Sequence, residues 1–459
     1  MALDSHNGRF VLGKRNRAIS PTKIIALTFA VIILLGALLL TLPVASRSGV
    51  SCGFRPALFT ATSATCVTGL VLYDTWTQWS AFGQIVIISL IEIGGLGFMS
   101  AASLVIFLLR RKVGLKQRLV MAQALSVTDM EGVVHLQKTV LVGSLGIQAV
   151  GALVLFLRFL PEFGLWTAVR WGVFHSISAF CNAGFDIFGC IAPGSSLMVW
   201  NSDPVVLLTL AMLVIVGGLG FLVWEEIARI RKFRQFSVYT KLVLISSLVL
   251  LVFGTVCFCA LEWNNPGTLG SMTLGGKILN GFFQSVTVRT AGFAAIDQKM
   301  LTDASKAVSA VLMLIGGSSG STAGGAKTVT VVVLALFLWT RGRGRSTVTV
   351  FRRTIPDGQV LDAMTIVSAL VALAVFGSIF ICATSPVSFV DGLFESVSAL
   401  ATVGITADVT TSLSVPAQIL IMIYMYFGRV GVLTISLGFL MGNRAEERFR
   451  YAQTNLLIG

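Results

Sequence analysis

The sequence is poor in charged residues, in acidic residues above all, and in histidine. Only 12% of its 459 residues are charged, whereas soluble domains carry about 25%. The three histidines, His6, His135 and His175, have no cysteine or carboxylate at the spacing of a metal site. The seven cysteines show no metal-ligand spacing either, and a disulfide between Cys52 and Cys190 is left open. We therefore expect neither an enzyme nor a metalloprotein.

A phosphate-binding loop is also missing, although residues 316–328, GGSSGSTAGGAKT, look like one at first sight. The nucleotide-binding pattern G-x-x-x-x-G-K-[ST] requires glycine directly before the lysine. Here Ala326 precedes Lys327, and Ser321 stands where the first glycine is required. No segment between the apolar stretches exceeds about 30 residues, which is too few for a soluble ATP-binding domain.

Long apolar runs dominate what is present. Hydrophobic residues make up 55% of the chain, and its mean hydropathy is +0.88. A membrane-spanning helix needs about 20 apolar residues. Eight segments meet this requirement, near 22–42, 81–110, 138–160, 203–230, 238–261, 305–340, 359–383 and 415–440. The predicted fold class is an all-α integral membrane protein with eight transmembrane helices.

The net charge of +14 comes from short basic clusters between these segments. They lie before the first segment and after every second one, at 9–17, 110–118, 229–234, 341–353 and 443–450. Lys and Arg collect on the cytoplasmic side of membrane helices. We therefore expect a multi-pass protein of the plasma membrane with both termini in the cytoplasm. This distribution of basic residues indicates that the chain interacts with the lipid bilayer and does not bind nucleic acid.

A shorter stretch lies between the members of each pair of spans, and it occurs four times. Each copy has Phe, then Ser or Thr four residues on, then a glycine followed by an apolar residue, and an Asp within five residues. The four copies are 57–74 (Phe59, Ser63, Gly69, Asp74), 172–189 (Phe174, Ser178, Gly184, Asp186), 281–297 (Phe283, Thr287, Gly292, Asp297) and 392–408 (Phe394, Ser398, Gly404, Asp408). The third copy is one residue shorter before its glycine, so we expect its half-helix to end differently. A repeat of about 110 residues indicates duplicated units around a pseudo-symmetry axis.

The repeats divide the chain into four units of helix, half-helix, polar turn and helix. The predicted boundaries are an N-terminal segment 1–20, units 21–118, 119–234, 235–353 and 354–445, and a tail 446–459. A second glycine cluster follows in every unit, at 94–98, 217–221, 316–321 and 428–433. Small residues at matching depth let helix backbones approach closely, which is a sufficient account for the first two units. It does not account for the polar segment 316–328 of the third.

The four polar turns predict a ring of backbone carbonyls around one axis. Non-helical backbone at membrane depth is tolerated where protein buries it or where it lines a water-filled cavity. Such a ring can replace the hydration shell of a monovalent cation, and glycine leaves no side chain in its path. Each half-helix would aim its negative C-terminal end at the axis. The residues expected to form this filter are Val67, Thr68, Gly69, Asn182, Ala183, Gly184, Thr290, Ala291, Gly292, Thr402, Val403 and Gly404.

These motifs carry a family resemblance. ATCVTGL, FCNAGF, VRTAGF and ATVGI, the loop GGSSGSTAGGAKT and the Arg429 of FGRVGVL resemble the potassium transporters that include bacterial Ktr and Trk and plant HKT proteins. The resemblance covers residues 20–440 and is strongest to the KtrB-type membrane subunits of Ktr systems, because the first unit begins at once.

The resemblance implies a single chain folded like a four-subunit potassium channel. It also implies a homodimer and a cytoplasmic ring of nucleotide-binding regulatory subunits. Potassium in the filter would be the bound ion, no cofactor would be covalently attached, and the nucleotide would belong to the partner. Members with serine at the first filter glycine favour sodium, whereas this chain has Gly69.

The resemblance further implies that the loop of the third unit is an intramembrane gate. The residues concerned are Gly316, Gly317, Ser318, Ser319, Gly320, Ser321, Thr322, Ala323, Gly324, Gly325 and Lys327, with Arg429. Glycine costs a helix up to about 1 kcal/mol relative to alanine, so this segment can switch between folded and unwound forms. A charge in mid-membrane is costly unless it is paired or hydrated. Arg429 is expected to hydrogen-bond loop carbonyls, with an ion pair to Glu92 or Glu395 as the alternative. Lys327 either ends the loop or extends inward.

Other polar residues are expected around the filter. Arg289 is predicted to brace the third strand through Asp297 or Glu395, and Asn182 to hydrogen-bond behind the second. The four aspartates after the glycines are placed at the outer mouth, where they would concentrate cations. Helix caps are an equal alternative for each of them. His175 is expected to be packed or hydrogen-bonded, and not a ligand.

Two other functions stay open. A sodium-selective or non-selective cation transporter on the same scaffold is the nearest alternative, and coupling of potassium flux to sodium is compatible with the sequence. A secondary transporter of another superfamily would show two large repeats with substrate-binding broken helices. The fourfold pattern disfavours that second alternative.

Overall fold

A computed structural model describes residues 21–97 and 132–431, and the regular secondary structure in this part of the chain is helical apart from one short β-hairpin. Its elements in chain order are α1 (Pro21–Thr41), α2 (Phe54–Thr65), α3 (Thr75–Gln78), α4 (Ala81–Leu96), α5 (Val133–Phe163), α6 (Leu165–Phe180), α7 (Pro204–Leu219), α8 (Phe221–Arg229), α9 (Val238–Glu262), α10 (Leu274–Thr287), α11 (Asp303–Leu314), α12 (Thr328–Gly342), the hairpin β1 (Thr349–Val350) and β2 (Arg353–Thr354), α13 (Asp357–Thr384), α14 (Phe389–Leu400) and α15 (Val415–Val430). The predicted terminal segments and three basic clusters, at 9–17, 110–118 and 443–450, lie outside the described residues.

The first helix of each unit is a long apolar rod. These helices, α1, α5, α9 and α13, are long and apolar enough to cross a membrane. Large aliphatic side chains such as Leu38, Leu157 and Leu248 are exposed on them. Such exposure is unfavourable in water but not against lipid tails, which fits the predicted membrane location.

The units close into a ring in chain order. Each first helix packs against the half-helix of its own unit, namely α2, α6, α10 or α14. Each second helix then contacts the half-helix of the next unit, with α4 against α6, α7 against α10, α11 against α14, and α15 against α2. The last contact joins the fourth unit to the first, so the half-helices surround one axis.

The second helix of the second unit is bent, and this corrects the continuous span predicted over 203–230. Helices α7 and α8 meet at an angle of 94°. The bend is at Gly220, whose φ is +96°. Because a positive φ is cheap only for glycine, the chain can turn there without the cost that another residue would carry.

The other second helices also end or break at the glycine clusters. Helix α4 ends at Leu96 before Gly97, and α15 ends at Val430 before Gly431, and both glycines have positive φ. The continuations predicted to 110 and 440 lie outside the described residues. In the third unit, residues 315–327 separate α11 from α12. The glycine clusters therefore determine where these helices end. The interpretation of the clusters as helix-packing sites did not predict this role.

The clusters also let the second helices approach the half-helices. A Cβ placed on Gly94, Gly217 or Gly428 would collide with the carbonyl oxygen of Thr65, Phe180 or Leu400, respectively. Each of these carbonyls belongs to the last residue of a half-helix. The close backbone approach predicted from small residues at matching depth is confirmed at these three positions.

Candidate ion pathway

The four polar turns share one backbone conformation. Two residues before each glycine, φ is positive at Val67 (56°), Asn182 (59°), Thr290 (70°) and Thr402 (52°). The glycines themselves have φ values of 101° at Gly69, 70° at Gly184, 86° at Gly292 and 89° at Gly404. A positive φ is uncommon outside glycine and is strained for a β-branched residue. Four separate turns hold the same unfavourable geometry, which indicates a constraint common to all of them.

The four glycines meet around one axis. A Cβ added to Gly69 would lie 2.5 Å from the carbonyl oxygen of Ala183, and one added to Gly184 would lie 2.8 Å from that of Ala291. A Cβ added to Gly292 would lie 2.7 Å from the carbonyl oxygen of Val403. A Cβ added to Gly404 would collide with the carbonyl oxygen of Thr68. Each strand thus faces the carbonyl of the next in the order one, two, three, four, one. Any side chain at these glycines would intrude on the ring.

Hydroxyl groups hold the strands from behind. Ser63 and Ser398 accept hydrogen bonds at 3.0 Å from the backbone N–H groups of Gly69 and Gly404. Ser178 and Thr287 instead donate, at 2.7 Å, to the carbonyl oxygens of Phe185 and Phe293. The repeated Ser or Thr was visible in the sequence, but its role in fixing the turn was not predicted. Units one and four therefore use one arrangement, and units two and three use another.

The third half-helix ends earlier than the others. Helix α10 stops at Thr287 itself, whereas α2, α6 and α14 continue for two residues beyond Ser63, Ser178 and Ser398. The different end predicted from the missing residue is confirmed.

A cavity of about 430 Å³ lies on one side of the ring. The four filter glycines line it, and so do Asp74, Asp186, Asp297 and Asp408, together with Lys299. The sequence placed these aspartates at one mouth, and the cavity brings them together there. A pocket lined by four carboxylates raises the local concentration of cations.

The mouth aspartates also make local hydrogen bonds. Asp74 accepts from the N–H of Thr77 at 2.8 Å and caps the short helix α3. Asp297 accepts from the N–H of Lys299 at 2.9 Å, and the Lys299 ammonium lies 3.8 Å from exposed Asp408. Asp74 therefore both caps a helix and lines the cavity, so the two alternatives predicted for it are compatible. Burial, with the negative charge of Asp74, raises the pKa of Asp186 to about 6.

The loop 315–327 lies against the bend of the second unit. Ser318 N–H donates to the carbonyl of Gly218 at 3.0 Å, and Thr322 N–H donates to that of Gly217 at 3.3 Å. In return, the N–H of Phe221 donates to the carbonyl of Gly320 at 2.8 Å. Backbone groups that the bend removes from the helix are thereby paired with the loop, which meets the requirement for satisfied polar groups in a membrane.

The loop is closed at its base by its own backbone. Gly316 N–H donates to the carbonyl of Ala326 at 2.9 Å, and Thr328 N–H donates to that of Gly317 at 3.0 Å. Lys327 turns back and donates its ammonium to the carbonyl of Ala323 at 2.7 Å. The lysine therefore bonds within the loop and does not extend away from it.

Arg429 joins the loop to two other units. Its guanidinium donates to the carbonyl oxygens of Thr322 and Gly94, and at 2.8 Å to that of Gly95. It therefore hydrogen-bonds carbonyls, and the alternative of an ion pair with Glu92 or Glu395 is wrong. Glu92 accepts instead from the Gln148 amide at 3.0 Å.

Asn182 connects the second and third filter strands with the loop. Its amide nitrogen donates to the hydroxyl of Thr290 at 3.2 Å, and its amide oxygen accepts from the hydroxyl of Thr322 at 3.2 Å. The sequence pointed to a hydrogen bond behind the second strand. It gave no signal that the partner would come from the loop.

Arg289 does not have the acidic partner predicted for it. Its guanidinium is near Ser247, with N–O distances of 3.4 and 3.5 Å to the carbonyl and hydroxyl oxygens. Glu395 accepts a hydrogen bond from the hydroxyl of Thr410, and Asp297 lies at the outer mouth. The prediction failed because Arg289 points toward the first helix of its own unit and away from both acids.

Two other expectations concern His175 and the outer cysteines. His175 stacks on Phe188 with ring centroids 3.9 Å apart and accepts from the N–H of Ile187 at 3.2 Å, so it is packed and hydrogen-bonded. Cys52 and Cys190 are both free thiols.

Four helix, half-helix and helix units that bring backbone carbonyls to one axis define a multi-pass membrane protein of the pore-loop type. The sequence profile of the TrkH family, described as cation transport proteins, matches residues 13–448. The chain belongs to this family, and the predicted resemblance to Ktr and Trk proteins is confirmed.

Individual relatives agree. The chain is 38% identical to the potassium/sodium uptake protein NtpJ of Enterococcus hirae, over 98% of this chain and all of the relative. It is 36% identical to the Ktr system potassium uptake protein B of Bacillus subtilis, over 96% of this chain and 97% of the relative. The crystal structure of the potassium transporter TrkH from Vibrio parahaemolyticus has the same fold, with a TM-score of 0.71 at 16% identity, covering 92% of this chain and 86% of that one.

Proposed function

We propose that this chain carries potassium into the cell through the ring of filter carbonyls. The observation that carries the proposal is the cyclic approach of each filter glycine to the next strand's carbonyl. Oxygen atoms held in this way can replace the hydration shell of a monovalent cation. The names of the full-length relatives, which describe potassium or potassium/sodium uptake, support the same substrate class.

Potassium is proposed as the preferred ion because Gly69 stands at the first strand. A side chain there would press on the carbonyl of Ala183 and change the ring. A sodium-permeable pore is the second candidate, and the potassium/sodium uptake protein of Enterococcus hirae favours it. Sodium dependence of potassium flux belongs to this second candidate.

The loop 316–328 is proposed to act as the gate below the filter. Its support is the set of hydrogen bonds from Arg429 to Thr322 and from Ser318 and Thr322 to the bend at Gly217 and Gly218. These bonds hold the loop in one place, and breaking them would release it. Opening would then be the release of a short ordered segment from its bonded position.

We propose that a ring of nucleotide-binding regulatory subunits binds to the cytoplasmic face of this chain. The chain is further proposed to form a homodimer in the plasma membrane, with both termini in the cytoplasm. Relatives named as parts of Ktr systems support a membrane subunit that works with others. The nucleotide would bind to the ring and not to this chain.

Flux in liposomes that hold the purified chain alone tests the proposal. Potassium and sodium gradients are applied in turn, with Gly69→Ser as the filter variant. Gly275→Ser serves as the matched control, because a side chain there meets nothing within 4 Å. Potassium preference that Gly69→Ser weakens and Gly275→Ser preserves would support the filter. Equal or sodium-preferring flux in the unmodified chain would refute potassium selectivity.

A further inference from the structure

The Arg289 side chain is half-buried, and its guanidinium has no counter-charge among the residues that the structure describes. Its Nε is buried and has no hydrogen-bond partner. Its terminal nitrogens reach only the oxygens of Ser247, at 3.4 and 3.5 Å, which is the long limit for a hydrogen bond. None of the ion pairs within residues 21–97 and 132–431 includes Arg289. A charge withdrawn from water is unfavourable unless an opposite charge or hydrogen-bond acceptors compensate it.

A second unpaired donor belongs to a residue that lines a cavity beside Arg289. Arg289 lines a cavity of about 20 Å³ with Ser247, Gly218 and Gly317, among apolar side chains. The N–H of buried Gly317 has no acceptor within the part of the chain that the structure describes. The positive charge and unpaired Nε–H of Arg289, together with the unpaired N–H of Gly317, therefore belong to residues that line one cavity, and none of the described residues that line it is acidic. A cavity of this size holds one water-sized sphere and no organic ligand.

We infer that this cavity binds one small monatomic anion, chloride under physiological conditions, between the Arg289 guanidinium and the Gly317 N–H. The anion would accept from both donors and neutralise the guanidinium. Water could occupy the same volume, but it would leave the guanidinium charge uncompensated. Charge-assisted hydrogen bonds are roughly twice as strong as neutral ones, which favours the anion.

The position gives the anion a structural role. Arg289 directly precedes Thr290 of the third filter strand, Gly317 lies in the loop, and Gly218 precedes the bend of the second unit. An anion there would join these three segments through contacts that the chain does not make by itself. The inference rests on these contacts and does not depend on potassium being the transported ion.

Thermal unfolding of the detergent-solubilised full chain in potassium chloride and in potassium gluconate, at equal ionic strength, tests the inference. The unmodified chain should unfold about 2 °C or more higher in chloride, since a bound anion stabilises only the folded form. Arg289→Gln should remove the difference, and Arg345→Gln, at an exposed arginine, should keep it. Equal chloride effects in all three chains, or none in the unmodified chain, would overturn the site.

A direct measurement avoids any folding defect of the variant. Crystals of the unmodified chain grown in bromide should give an anomalous scattering peak between Arg289 and Gly317. A site without that peak holds water only, and the inference is then wrong. Because neither experiment measures flux, failure here leaves the proposed transport function untouched, and failure of the flux experiment leaves the anion site untouched.

Discussion

The guanidinium of Arg429 donates a hydrogen bond to the carbonyl oxygen of Thr322, and so fixes the loop of the third unit to the second helix of the fourth. The same guanidinium donates to the carbonyl oxygens of Gly94 and Gly95 in the first unit. Thr322 in turn donates to Asn182 in the second unit. Arg429 and Thr322 thereby connect all four units at the loop.

Substitution of Arg429 by alanine should increase the leak of potassium. Hydrogen bonds from a charged group contribute about 1.5–3 kcal/mol each, so loss of the bond to Thr322 should raise the released fraction of loops by roughly 10- to 100-fold. The measurement is potassium flux at a fixed gradient in liposomes. Arg345→Ala provides the control, because Arg345 is exposed and its backbone N–H bonds to Thr340 near the end of α12, not to the loop. An unchanged leak in a correctly folded Arg429→Ala chain would make Arg429 a purely structural residue.

Removal of residues 318–322 should raise flux and keep ion selectivity. The deletion removes the groups that bond to Gly217, Gly218 and Arg429, but it keeps the closing bond between Gly316 and Ala326. Although Asn182 loses its bond from Thr322, selectivity should persist because Ser63, Ser178, Thr287 and Ser398 keep the hydroxyl bonds that fix the four turns. Flux of potassium and sodium is compared with that of the full-length chain in the same liposomes. A folded deletion with unaltered flux would exclude the loop as a gate.

The features that could be predicted from the sequence are those that depend on short, repeated residue patterns. The fourfold order of helix, half-helix and turn repeats in the residues themselves, and a missing residue before Gly292 was enough to predict that α10 would end differently from the other half-helices. The bend at Gly220 was missed because a glycine inside an apolar run is compatible with both a straight and a broken helix. The partner of Arg289 was missed because it depends on which way a side chain turns between helices far apart in sequence. The hydrogen bond between Thr322 and Asn182 was missed for the same reason, because it forms between two different units.

Substitution of Ser63 by alanine should weaken the first filter strand. The Gly69 N–H would lose its acceptor while it stays buried, which costs about 1–3 kcal/mol. We expect a lower ratio of potassium to sodium flux and a lower midpoint of thermal unfolding. Ser89→Ala is the matched control, since Ser89 is exposed and only bonds within its own helix. Equal losses in the two variants would show that the Ser63 hydroxyl has no particular role at the filter.

Potassium uptake from dilute solution should fall as the outer pH drops through about 6. The pKa of Asp186 is raised to about 6 by burial and by the charge of Asp74, so the carboxylate is negative at pH 7 and mostly neutral at pH 5. Its neutralisation reduces the negative charge of the mouth, and the local concentration of cations falls with it. The effect should vanish at saturating potassium, where supply no longer limits flux. Asp186→Asn should show low uptake from dilute potassium at both pH values, whereas Asp408→Asn, at the exposed aspartate near Lys299, should keep the pH dependence. If the asparagine variant at 186 retained the same pH dependence, another group would have to be its source.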